Sequence, residues 1–358
     1  MRCQFENLEV AGVAAALPPD SLDLRSLSPL FGSAEVERII AGTGIQVVRT
    51  APEGMTTADL CEAAARPLLA ELGLGASEVD GLVFVSQTPD YVMPATSVAL
   101  QDRLGLSTEI PAFDLPYGCS GYIYGLFQAA LLIQAGACRT VLVCAGDTLA
   151  RFVHPRDRAL RMVFGDAGSA TVVRRGAGRA GFALHSDGSG ARHLIVPAGG
   201  CRTPRSDATS VAQADASGNQ RSPENVFMDG AEIMNFALRR VPQVLDEILT
   251  LAGWERTQVG LFALHQANRF MVDYLAKKCR LPKGTTPVGM SQTGNTGPAS
   301  IPLLLAGERA AFPPAQRVRS VLCGFGVGLS WGACALDLSA TRILAPVECP
   351  SRAVTALP

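Results

Sequence analysis

The sequence predicts an α/β protein made of two duplicated halves. Near-continuous apolar strand patterns alternate with helix patterns along the chain, which suggests a sheet covered on both faces. The alternation begins again after a join near residues 175–180. The chain has 358 residues, 48% of them hydrophobic and 18% charged, enough to bury one large core or two domain-sized ones. On this reading residues 1–175 form an N-terminal half and residues 176–358 a C-terminal half.

The elements follow in order. TADLCEAAARPLLAELG (57–73) reads as a helix and GLVFVSQT (81–88) as the strand after it. AFDL (112–115) is a short strand, and YIYGLFQAALLIQAG (122–136) is a long apolar helix. RTVLVCAGD (139–147) and SATVVRR (169–175) are strands. In the second half, AEIMNFALRRVPQVLDEILTLAG (231–253) is an amphipathic helix by its i, i+3, i+4 spacing. VGLFALHQA (259–267) is a strand running into a polar turn, ASIPLLLAGERAAF (299–312) a helix, and RSVLCGFGVGLSWGACALDL (319–338) a strand, a glycine turn and a strand. Residues 199–222 are polar and Gly/Ser-rich and read as a long mobile loop. The segment 344–358 reads as a tail.

Composition narrows the function. A net charge of −1 gives no general pull toward nucleic acid or anionic membrane. No apolar run reaches the ~18 residues of a membrane span, and MRCQFENLEV lacks the form of a signal peptide. The ten cysteines are scattered without a Cys-x-x-Cys pair or a Cys/His cluster, which suggests reduced thiols in a cytoplasm and no metal site. Gly176-Ala-Gly178-Arg-Ala-Gly181 matches G-x-G-x-x-G. It runs into strand-like FALHS rather than a helix, so no dinucleotide cofactor is implied.

One cysteine stands apart. Cys119, in YGCSGY (117–122), sits between glycines where a strand hands over to a helix. Unpaired N–H groups and the dipole at a helix N-terminus favour a thiolate, and glycines let a substrate approach. The other nine cysteines read as buried small hydrophobes. A nucleophilic cysteine wants a histidine. Of His154, His185, His193 and His265, only His265 stands at the end of an apolar strand, where α/β proteins place their sites. Asn295, between Gly294 and Thr296 before a helix, suits a turn or a site equally. CGFGVGLSWGA (323–333) places three glycines in five residues, a loop able to present N–H groups to an oxyanion.

These stretches, with FGDAGSA (164–170), LHQAN (264–268) and GNTGPASIPLLL (294–305), resemble the β-ketoacyl-acyl-carrier-protein synthase III branch of the thiolase-like condensing enzymes. The similarity spans roughly residues 35–338. The resemblance implies a five-layered αβαβα thiolase-like fold, a homodimer, and a Cys119–His265–Asn295 triad. It implies two half-reactions: acyl transfer from a thioester to Cys119, then decarboxylative Claisen condensation with a malonyl-carrier thioester. Fatty-acid or specialised acyl and polyketide biosynthesis would use such a step. It also implies an oxyanion hole from the backbone N–H groups of Cys119 and Val327, the latter where the family usually has Gly. Phe164 and Met93 match acyl-pocket positions, Met93 where a Phe from the partner subunit is common. Asn268 falls with the substrate-binding residues. Arg158 matches an Arg that stacks on the coenzyme A adenine. Its Trp partner is replaced by Arg38 and a basic residue by Gly42, so the family's coenzyme A contacts are incomplete. Lys277 and Lys278, two of the three lysines in the chain, match a patch that docks acyl-carrier protein.

Other readings stand beside this one. The same scaffold could pass the acyl group from Cys119 to an O or N nucleophile, with His265 as general base. Cysteine proteases also run Cys, His, Asn in chain order, but YGCSGY lacks the C-G-[SA]-C-[WY] signature. A catalytically silent subunit would ordinarily show a broken triad.

Overall fold

The computed structural model describes residues 1–350. The principal elements in chain order are β1 (Arg2–Leu17), α1 (Thr57–Glu71), β2 (Gly81–Val85), α2 (Thr96–Leu104), β3 (Ala112–Leu115), α3 (Gly121–Gln134), β4 (Thr140–Asp147), β5 (Ala167–Ser186), α4 (Gly230–Ala252), β6 (Leu261–Leu264), α5 (Arg269–Lys278), α6 (Ser300–Gly307), β7 (Ser320–Gly326) and β8 (Ser330–Leu336).

Side-chain alternation along the strands builds five layers. In β2, Leu82 and Phe84 face α1 and α2, packing on Leu68 and Leu100, while Val83 and Val85 face α3. In β6, Leu261 and Ala263 face α6, whereas Phe262 and Leu264 face α4 and α5. Helices α3 and α6 therefore lie between the two faces, through Tyr122, Leu126, Ile301 and Leu304. The order is α1/α2, strands, α3/α6, strands, α4/α5, a thiolase-like arrangement.

The strands run β6-β7-β8-β5-β4-β2-β3, with β1 paired along β5. β5 crosses from one half to the other. Its first part pairs with β4, and its last part, Ala180–Ser186, pairs with β8. The sequence-based division at 175/176 thus falls inside one continuous strand. β1 follows the same path, with a register shift between Glu6 and Leu8 where Asn7 takes φ 55°. Such a bulge adds local twist and lets a strand pair pass between layers. The G-x-G-x-x-G match lies within β5.

Two sequence expectations are corrected. Residues 199–222 are not a structureless loop. Ser206 caps a helical turn at Asp207–Ser210, and Gln213–Ala214 pairs antiparallel with Gln220–Arg221. Arg221 bridges Asp157 at 2.9 Å and Asp215 at 3.2 Å, with Asp157 buried. The segment is polar because its side chains bond one another. The predicted tail also joins the sheet in part: Val347–Glu348 pairs with β1, as Arg342–Ile343 just before the tail does. The remainder of that tail, 351–358, lies outside the described residues.

Candidate active site

The carboxyl ends of β2, β4, β6 and β7 converge on the start of α3, and each supplies part of one site. Cys119 lies two residues before α3 and is buried. Its own backbone N–H and that of Val327, the residue after β7, lie close enough to its sulfur to favour the charged form. Gly326 brings the end of β7 against it: a Cβ built there would lie 3.1 Å from Cys119 Sγ. Ser120 and Ser330 hydroxyls meet at 2.7 Å, and Ser330 donates to the Val327 carbonyl at 2.7 Å. The Val327 peptide is thereby fixed beside the cysteine.

The resting sulfur is a thiol. Burial, aided by the nearby Asp147 carboxyl, pushes Cys119 up to about 12, outweighing the two N–H groups. The expected resting thiolate at a helix N-terminus is therefore not met, because desolvation of a buried charge exceeds a terminal dipole.

His265 follows β6. Its N–H donates to the Cys323 carbonyl of β7 at 2.8 Å, and its ring meets Phe325 edge-on at 5.5 Å. Burial alone lowers its pKa to about 3, so the imidazole is neutral. Nδ1 lies 2.7 Å from the hydroxyl of Ser300, the first residue of α6. The Ser300 backbone N–H is directed to the Gly297 carbonyl, so only the hydroxyl serves the ring. With that hydroxyl donating to Nδ1, the ring proton sits on Nε2.

Asn295 is pinned by its backbone. Its N–H donates to the Val163 carbonyl at 2.8 Å, and its carbonyl accepts from Gly165 at 3.0 Å. The Gly297 N–H donates to Asn295 Oδ1 at 3.1 Å, which leaves the amide NH₂ as the free end. Phe164 pairs with Asn295 through an isolated bridge.

A cavity of about 960 Å³ opens onto Cys119 and is lined also by Phe164, Gly297, Val327 and Asp147. His265 and Asn295 do not line it; His265 packs on Phe325, next to Gly326, and Asn295 contacts the lining residues Phe164 and Gly297. One wall of the cavity comes from the segment read as a loop, through Gly199, Arg205 and Ser210.

The remaining sequence candidates divide. Phe164 is buried in the cavity wall. Met93 is 80% exposed and does not reach the cavity of its own chain, although Tyr91 and Val92 do. Asn268 does not line it either; it caps α5, its Oδ1 accepting from Met271 N–H at 2.8 Å. Arg158 also lies off the cavity, 3.3 Å from Glu35, and donates to the Ser217 carbonyl. Glu35 is gripped by Arg38 as well, so both arginines at the coenzyme A positions are engaged internally. Lys277 and Lys278 stand exposed in the last turn of α5.

Sequence reasoning missed Asp147 and Ser300. Asp147 ends β4, and its Oδ1 accepts from Ser86 Oγ, Gln87 N and Thr88 Oγ1 at 2.9, 2.7 and 3.3 Å. Burial raises it to about 7. Its place at a predicted strand end was the available signal.

Known proteins share this architecture. The family model "3-Oxoacyl-[acyl-carrier-protein (ACP)] synthase III" matches residues 113–188, and the C-terminal model of the same name matches 249–338. A β-ketoacyl-[acyl-carrier-protein] synthase III of Streptomyces coelicolor is 35% identical over 334 residues, covering 91% of this chain and 96% of that one. The crystal structure of a 3-oxoacyl-(acyl-carrier protein) synthase from Burkholderia xenovorans LB400 superposes with TM-score 0.90 at 38% identity, covering 97% and 99% of the two chains. The priming β-ketosynthase of the R1128 polyketide pathway superposes with TM-score 0.79 at 28% identity, covering 93% and 97%.

Proposed function

The chain belongs to the 3-oxoacyl-[acyl-carrier-protein] synthase III family, and on that premise we propose how its own residues carry out the condensation. The family's enzymes are condensing enzymes of the acyltransferase class. The reading is supported by a buried cysteine sulfur that opens on a cavity with the backbone N–H groups of Cys119 and Val327 close by.

Cys119 attacks the carbonyl of an acyl thioester. The tetrahedral oxyanion sits in the Cys119 and Val327 N–H groups, and the donor thiol departs with the proton that left Cys119. Because the donor at 327 is backbone, a Val side chain there does not remove it. A malonyl-carrier thioester then loses CO₂, and its electron pair becomes an enolate. His265 Nε2–H and the Asn295 NH₂ donate to the enolate oxygen, two donors aimed at charge that develops only in the reaction. The enolate carbon bonds to the acyl carbonyl, the thioester C–S bond to Cys119 breaks, the 3-oxoacyl product leaves, and the released Cys119 thiolate takes a proton from water. A neutral His265 is suited to this role as a donor.

The acyl-carrier protein docks on Lys277 and Lys278, the enzyme acts as a cytoplasmic homodimer, and Met93 serves the partner's pocket. The engagement of Arg38 and Arg158 with Glu35 supports a carrier-bound rather than coenzyme A-bound acyl donor.

Intact-protein mass spectrometry with acyl thioesters, then malonyl-carrier, tests the scheme. A mass gain at Cys119 that malonyl-carrier discharges as CO₂ and a 3-oxoacyl product is expected. Cys119→Ala abolishes loading. Asn295→Ala spares loading and blocks condensation; equal loss of both steps would make Asn295 structural. Discharge by an alcohol or amine, and not by malonyl-carrier, would replace condensation with O- or N-acyl transfer.

A further inference from the structure

The cavity at Cys119 changes character between its buried and its more exposed lining. Its buried wall carries the apolar side chains Phe164, Leu194, Ala198 and Val226 beside the polar Thr88 and Asp147. The more exposed lining is mixed: Arg151, His154, Arg205 and Glu224 stand there beside Tyr91, Val92 and Ile195. An apolar ligand alone would leave those polar groups unmatched.

The lining holds two arginines, Arg151 and Arg205, and three carboxyls, Asp90, Asp147 and Glu224. Arg205 lies 3.6 Å from Glu224, which also accepts from the Thr209 hydroxyl at 2.7 Å. Asp90, also in the wall, stands 3.7 Å from Arg103, and burial raises its pKa. Asp147 is at the inner end, held by Ser86, Gln87 and Thr88. Arg151 is different. It forms no ion pair among the described residues, and its one hydrogen bond runs from Nη2 to the Met55 carbonyl at 2.6 Å. Most of a five-donor guanidinium fork is left for a ligand. His154 stands three residues on. Its Nδ1 accepts from Arg156 N–H at 3.1 Å, so the neutral ring carries its proton on Nε2 and donates there. Arg151 and His154 thus keep free N–H groups at the cavity with no ion pair of their own, although the buried Asp166 senses the Arg151 charge.

We propose that the acyl group delivered to Cys119 comes from a dicarboxylic monothioester: a methylene run lies against Phe164, Leu194 and Val226, and the terminal carboxylate is read by Arg151 and His154. The inference rests on the synthase reading and names its starter class. The carboxylate meets a charge-assisted fork that discriminates against a methyl terminus, which would leave the cation desolvated and unpaired.

Single-turnover acylation of Cys119 tests this, using pantetheine thioesters of suberic and octanoic acid, which share a chain length and differ at one end. Suberoyl transfer is expected to be about ten-fold faster or more in kcat/KM, the size of a hydrogen bond to a charged group. Arg151→Ala narrows the ratio of the two donors toward one, and Arg151→Glu inverts it. If loss of the Met55 contact unfolds the Arg151 variants, His154→Ala must narrow the same ratio. A wild-type enzyme that loads octanoyl as fast as suberoyl overturns the inference, as do variants that slow both donors equally. Octanoyl loading without suberoyl loading sinks only the starter class. Failure of every acyl thioester to load Cys119 sinks the synthase reading with it.

Discussion

The hydroxyl of Ser300 lies 2.7 Å from Nδ1 of His265, at the junction of the first turn of α6 with the end of β6. That contact determines which face of the imidazole is a donor. Gln266 N–H donates to the same hydroxyl at 3.4 Å, which leaves the hydroxyl proton available to Nδ1. A group behind a reacting side chain that fixes its tautomer commonly matters ten- to a hundred-fold.

Ser300→Ala should therefore slow decarboxylative condensation by roughly 10–100-fold while leaving acyl loading of Cys119 close to wild type. The two steps are read separately, loading by mass and condensation by CO₂ release. A merely structural Ser300 would lower both together or lower only the melting temperature.

Asp147 carries the next expectation, on pH. Its native pKa of about 7 lies above the ordinary carboxylate range of ~3.9 because burial disfavours the charge. The native state therefore holds a proton that the unfolded chain has released. The contribution to stability is whole below about pH 4 and is lost as pH rises toward 7. Asp166, raised to about 6 by burial, acts with the same sign. Asp147→Asn keeps an acceptor for Ser86, Gln87 and Thr88 and removes the titration. Relative to wild type it should gain on the order of 2–4 kcal/mol between pH 4 and pH 8 in urea unfolding. A difference between the two proteins that does not change with pH would refute this.

Much of the fold was legible because its strands are apolar runs and its helices keep a 3.6 period. β1 was not. VAGVAAAL offers little alternation or bulk, and it becomes a strand only through its long pairing with β5. The segment 199–222 misled for a related reason: its Ser, Asp, Asn and Arg satisfy one another and Asp157, a partner more than 50 residues away. Cys119 and His265 stood out in the sequence because strand ends are few, and the structure places both at such ends. Asp147 was at such an end too, but its donors Ser86, Gln87 and Thr88 come from a strand about 60 residues earlier in the chain. Met93, Arg158 and Asn268 followed from motif position, and position does not say that an arginine is engaged by Glu35 or that an asparagine caps a helix.

Gly326 gives the sharpest steric expectation. Its position is fixed on both sides: β7 pairs with β6, and Gly326 itself is in register with Ser330 of β8. A methyl there would lie 2.8 Å from Cys119 Cβ and 3.1 Å from Sγ, closer than carbon packing tolerates. The cysteine cannot retreat, because Gly324 already holds β7 against Ser120, whose Cα would stand 2.8 Å from a Cβ at 324. Gly326→Ala must push the sulfur off the Val327 N–H or crowd the path of the incoming carbonyl. Acyl loading should fall at least about 100-fold, the usual consequence of losing one oxyanion donor, for an overpacking loss of roughly 1–3 kcal/mol in stability. Val327→Gly keeps the backbone donor and should retain loading, so the pair separates sterics at the sulfur from chemistry at the peptide. Loading of Gly326→Ala at the wild-type rate, in a protein that still unfolds cooperatively, would mean the acyl group does not enter past β7.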